Sequence, residues 1–117
     1  MIRGVVSDGT PTITLAVGGQ AWPAAIDTGF NGDLELPATM RPLFNATFLG
    51  QDLAYLAGGQ SIVEDTYLLD FPFDGEVLEV EALFAPGTEI LIGTNLLRRH
   101  RIEIDFAAGT VLVERAG

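Results

Sequence analysis

The chain has 117 residues, 48% of them hydrophobic and 19% charged, which is enough for one modest core and leaves no room for a second domain. Sixteen acids against six arginines and no lysine give a net charge of −10, which argues against a nucleic-acid backbone or an anionic membrane surface as partner. The absence of cysteine excludes disulfides and thiolate metal sites. Met1-Ile2-Arg3-Gly4 lacks the apolar run of a signal peptide, and no stretch of about 18 apolar residues occurs, so a soluble, cytoplasmic protein is expected.

Ile2 to Val6 is a short strand candidate closed by Asp8-Gly9. Thr12 to Val17 alternates with a period of two, which directs Ile13, Leu15 and Val17 inward. Gly18-Gly19 then turns the chain into Ala21 to Ile26, a run of small and apolar residues that ends at Asp27-Thr28-Gly29-Phe30-Asn31-Gly32. Gly29 and Gly32 supply the freedom of a sharp reversal, so Asp27 is presented at the tip of a turn leaving a strand. The residues alone allow two roles for it: a turn cap through its own side chain, or a carboxylate held out for chemistry.

Asp33 to Leu36 alternates again, and Pro37 ends that strand before a weakly helical segment, Ala38 to Phe48, interrupted by Pro42. Gln51 to Asp70 has the pattern of a long hairpin with its tip at Gly58-Gly59. Asp74-Gly75 marks a tight turn into Val77 to Phe84, with Leu78, Val80, Ala82 and Phe84 on one face and Glu76, Glu79 and Glu81 on the acidic exterior. No loop has the ligand spacing of a calcium site, and the paired glycines lack the lysine or helix of a nucleotide loop, so no metal and no cofactor are expected.

Ile90-Leu91-Ile92 is a fully apolar run of the kind buried strands use; Gly93 breaks it, and Thr94 or Asn95 is placed to cap a short helix ending at Arg98-Arg99. Arg101 to Phe106 alternates with Ile102, Ile104 and Phe106 inward, and Thr110 to Glu114 is the last strand. His100, the only histidine, sits between arginines and is expected at the surface; Ser7 and Ser61 are the only serines, which leaves little from which to build a hydrolytic triad. Asn45-Ala46-Thr47 fits the glycosylation pattern, but without a secretory signal its use is not expected.

Asp27-Thr28-Gly29-Phe30 after an apolar strand resembles the catalytic loop of aspartic proteases, and in particular that of the bacterial retropepsin-like group. Ile92-Gly93-Thr94-Asn95 looks like that family's apolar-apolar-Gly element, and the two segments echo each other as strand, turn and small polar residue. The resemblance covers nearly the whole chain. It implies one all-β domain over residues 1–117, a closed, barrel-like retropepsin fold with one short C-terminal helix and a flap hairpin tipped by Ala57, Gly58, Gly59 and Gln60.

It further implies an aspartic-type endopeptidase with Asp27 as catalytic residue, Thr28 and Gly29 as its loop, and Ile92, Gly93, Thr94 and Asn95 as structural support. Hydrolysis of a peptide by carboxylates needs a pair that divides one proton, and the chain carries one Asp-Thr-Gly, so a symmetric homodimer acting on a peptide or protein substrate is implied. Thr28 would bind across the axis, and the terminal strands, Ile2 to Val6 and Thr110 to Glu114, would complete the interface. Two departures from the viral pattern stand out: Phe30 follows Asp-Thr-Gly where a small residue is usual, and Thr94 replaces the arginine after the glycine. The competing expectation is a catalytically silent, dimeric peptide-binding module of the same fold.

Overall fold

Three two-residue turns set the local topology. Asp8-Gly9, Gly18-Gly19 and Asp74-Gly75 all have positive φ, between 49° and 79°, the conformation whose twist matches that of flanking antiparallel strands. They join β1 (Ile2–Ser7) to β2 (Thr10–Val17), β2 to β3 (Gln20–Ile26), and β6 (Ser61–Phe73) to β7 (Glu76–Ala85). The remaining strands are β4 (Leu34–Pro37), β5 (Thr47–Tyr55), β8 (Ile90–Ile92), β9 (His100–Asp105) and β10 (Thr110–Arg115). The computed structural model describes all 117 residues, and no helix in it is long and apolar enough to cross a membrane.

All ten strands belong to one sheet, in the order β5-β6-β7-β4-β8-β3-β2-β1-β10-β9. Most pairs are antiparallel, but β3 pairs in parallel with β8 and β4 with β7. The short β8 therefore lies between β3 and β4, and the chain between those two strands must pass over its end. Ile90 and Ile92 are fully buried there on one face, while Leu91 on the other is only partly covered. The core gathers Ile13, Leu15 and Val17 from β2 with Leu69, Phe71 and Phe73 from β6, each set on alternate residues. A 3₁₀ turn over Ala38–Leu43 adds Met40.

The structure corrects four expectations. The sheet is not closed into a barrel: β5 and β9 are free edges, because β5 buries none of its residues and runs out from the core with its hairpin partner. The short C-terminal helix is a single 3₁₀ turn, Leu96–Arg99, which buries two leucines and must release the chain into β9 at once; neither Thr94 nor Asn95 caps it with a side chain. Within the chain β1 pairs with β10 over Ile2–Val5 and with β2 over Val5–Ser7, and β10 lies between β1 and β9. Phe106 falls in a turn and is exposed, whereas Ile102 packs on the core.

His100 is half-buried rather than superficial. Its ring meets Phe73 edge-on at 5.2 Å, and Nδ1 is buried with no hydrogen-bond partner. Burial pushes its pKa down from 6.5, against the opposing pull of the Asp74 carboxylate.

Phe71, with no exposed surface, separates core from hairpin surface experimentally. Phe71→Ala should cost about 4 kcal/mol in urea unfolding, whereas Val77→Ala, at an exposed site on the next strand, should stay within about 0.5 kcal/mol.

Candidate active site

The Asp27 loop is fastened to β8 through its backbone. The Asp27 N–H donates to the Ile92 carbonyl at 3.0 Å, continuing the β3–β8 ladder by one rung, and the Phe30 N–H turns back to the Asp27 carbonyl at 3.1 Å. Beyond β8 the direction of donation reverses. Gly93, Thr94 and Asn95 donate their N–H groups to the carbonyls of Asp33 (2.9 Å), Phe30 (2.9 Å) and Gly32 (3.1 Å). The Thr94 hydroxyl adds a longer bond to the Phe30 carbonyl, at 3.4 Å.

This seam explains Gly93. A Cβ built on it would lie 2.0 Å from the Gly32 carbonyl oxygen and 2.9 Å from the Phe30 ring, so any larger residue would force the two segments apart. Phe30, the bulky departure from the viral pattern, packs its ring over Gly32 and Gly93 and so sits against the seam.

At the tip, the Gly29 N–H donates to Asp27 Oδ1 at 2.9 Å, which orients the carboxylate. Asp27 is partly exposed, and Thr28 and Gly29 are open to solvent; the Thr28 hydroxyl makes no hydrogen bond within the chain. Asp27, Thr28 and Gly29 thus come together with Ile92, Gly93, Thr94 and Asn95 as one unit. Ala57, Gly58, Gly59 and Gln60 form the tip of the β5–β6 hairpin, closed by the Leu56 N–H on the Gln60 carbonyl at 2.7 Å; no hydrogen bond joins that tip to the Asp27 loop.

Sequence reasoning missed three participants. Asp33, assigned only to an alternating strand, is buried; Oδ1 accepts from the Asn95 amide at 2.7 Å and Oδ2 from the Glu81 N–H at 2.9 Å. It ties the loop to both β7 and the segment after β8, and an acid beside the Asp27 loop was the available signal. Glu35 and Arg41 are the others. The Arg41 guanidinium lies 4.5 Å over the Tyr67 ring and 5.8 Å from that of Phe84, while Tyr67 also packs edge-on against Phe48 and Phe84. These contacts fasten the hairpin's root to β7.

A groove of about 620 Å³ runs between the hairpin strand β6 and the β4/β7 platform, with Glu35, Arg41, Val63, Glu64 and Leu83 among its walls. The Glu35 carboxyl is held above its usual value of 4.5, first by burial and then by the negative charges of Glu64 and Asp27. A separate hollow of about 230 Å³ beside His100 shares no residue with the Asp27 loop or the hairpin.

No protein-family model matches this sequence, and no curated protein matches it. Solved structures do. A retropepsin-like aspartic protease from Rickettsia conorii superposes with a TM-score of 0.64 at 20% identity, over 99% of this chain and 91% of that one. The Simian Foamy Virus (mac) protease in solution gives 0.57 at 21% identity, over 74% and 91%. The foamy viral protease-reverse transcriptase bound to an RNA/DNA hybrid gives 0.61 at 16% identity over 77% of this chain, which spans only 12% of that longer one. The fold is retropepsin-like.

Two measurements test the site. Asn95→Ala leaves a buried carboxylate oxygen of Asp33 without its amide donor and should cost about 2 kcal/mol in urea unfolding. Glu35 binds its proton more tightly folded than unfolded, so its ionisation penalises folding fully above the raised folded value and not at all below 4.5. Glu35→Gln should therefore raise the melting temperature at about pH 7, with the gain vanishing below pH 4.5.

Proposed function

We propose that this protein is an aspartic endopeptidase whose active site is completed by a second copy of the chain. The reading is carried by the Asp27 loop: a carboxylate oriented by the Gly29 N–H, braced on β8, and open to solvent within a retropepsin-like fold. One chain supplies one such carboxylate. A two-fold axis beside Asp27 gives the second, and isologous contact through the exposed Thr28 and Gly29 follows from that symmetry.

In the pair, the two carboxylates share one proton because like charges this close do not both ionise. The ionised member takes a proton from water as its oxygen attacks the peptide carbonyl carbon. The protonated member gives its proton to the carbonyl oxygen, forming a tetrahedral diol. The diol then returns a proton to the carboxylate pair as its C–N bond breaks, and the leaving nitrogen takes up the proton that the attacking water first gave. The dyad titrates as a unit, so its pH dependence belongs to both copies. The β5–β6 hairpin serves as the flap, laying backbone along an extended peptide in the groove beneath it.

Asp27→Asn should lower peptide-cleavage kcat by about 100-fold or more while leaving the fold intact by circular dichroism. Specific activity of the wild type should rise with protein concentration, and excess Asp27→Asn subunit should suppress wild-type activity beyond simple dilution. Cleavage that survives Asp27→Asn, or activity independent of concentration and of the mixed-in variant, would overturn the shared-dyad reading.

A further inference from the structure

Glu35 lines the groove beside β6 with no partner of its own. It pairs in register with Leu91 of β8 and Leu83 of β7, placing it on the same platform as Ile92, whose carbonyl anchors Asp27. Two hollows meet at it: the groove of about 620 Å³ bounded by Ile62 to Asp65 of the hairpin, and one of about 200 Å³ bounded by Pro86 to Glu89. Its carboxylate makes neither a hydrogen bond nor an ion pair, unlike Asp33 two residues earlier. Arg41, the only cation lining the larger groove, is stacked on Tyr67 and forms no ion pair within 4.0 Å. The chain therefore leaves a half-buried carboxylate without an ion pair inside a concave site that combines apolar walls at Ile62, Val63, Leu83 and Pro86 with two further acids, Glu64 and Asp65.

A hollow with apolar sides and acids on two facing walls complements a long side chain with a methylene stem and a cationic head. We propose that Glu35 is a specificity-determining residue of this cleft, selecting peptides that place a lysine or arginine side chain in the groove with its head on the Glu35 carboxylate. Glu64, on the hairpin wall, contributes its charge from the opposite side. The stem lies along the apolar wall. The elevated proton affinity of Glu35 agrees with this arrangement, because an arriving cation relieves both the desolvation and the repulsion that cause it. The proposal deepens the endopeptidase reading by naming its substrate class, and relies on that reading only for the groove's role as the peptide cleft.

The test separates binding from cleavage. Peptides identical except for lysine, glutamine or glutamate at each position in turn are titrated onto Asp27→Asn protein by fluorescence anisotropy, and the same set is digested with wild type. At one position lysine should be favoured over glutamine by about tenfold in both assays. Glu35→Gln should bring that ratio to about one, Glu64→Gln should lower it partway, and Glu35→Lys should shift the preference to glutamate, with circular dichroism verifying each fold. A ratio near one at every position in wild type, or a ratio that survives Glu35→Gln, overturns the proposal. Glu35-dependent lysine preference in binding without any cleavage upholds it while sinking the endopeptidase reading; cleavage without the preference does the reverse. Absence of peptide binding overturns both.

Discussion

Everything near Asp27 depends on how closely two backbone segments approach at Gly93. Three N–H groups after β8 donate to three carbonyls of the loop that crosses its end, and the Asp27 N–H donates back to Ile92. Such contact is open only to a residue without a side chain, since a Cβ at Gly93 would stand 2.0 Å from a carbonyl oxygen. The seam satisfies backbone groups that would otherwise be left unpaired in a crowded turn. It also fixes the carboxylate without borrowing from loop packing. Asp33 then fastens the seam sideways, because its two oxygens reach the Asn95 amide and the β7 backbone.

The hairpin is built on the opposite principle. Its root is locked by the Phe48–Tyr67–Phe84 stack and by Arg41, but β5 buries none of its residues and the tip touches the Asp27 loop through no hydrogen bond. A bulge between Phe48 and Gly50 interrupts the β5–β6 register just beyond that stack. A locked root, an irregular neck and a glycine tip suit the flap role proposed for this hairpin.

Much of this was legible in the chain because it is local. Turn pairs such as Gly18-Gly19 and Asp74-Gly75 announce hairpins through their own chemistry, and the alternation of Ile13, Leu15 and Val17 names its buried face. The Asp27 loop and its support at Ile92 to Asn95 were visible as two similar segments. What was not legible required partners distant in sequence. Alternation alone puts Asp33 and Glu35 on one polar face, yet Asp33 is buried because Asn95 and the Glu81 N–H await it, 62 and 48 residues away. Barrel closure failed for the same reason, since whether β5 meets β9 depends on where a long hairpin points. Asn95 looked like a helix cap, which would use its amide oxygen as acceptor; instead its amide nitrogen donates to Asp33 and its oxygen makes no cap bond.

Charge would link the proposed site to the proposed dimer. Within one chain the charges of Glu64 and Asp27 act on Glu35, and the proposed dimer about an axis beside Asp27 would bring a second set toward the same cleft. Those repulsions oppose association most when all the groups are ionised and salt is low. A peptide carrying a cation beside Glu35 would offset them in the dimer more than in the separate chain, where the carboxylates remain better solvated. By reciprocity of linked equilibria, substrate would then tighten the dimer by the same factor that dimerisation tightens substrate. The unneutralised glutamate, costly to the isolated fold, would serve on this view to make a shared active site assemble on the molecule it is to act upon.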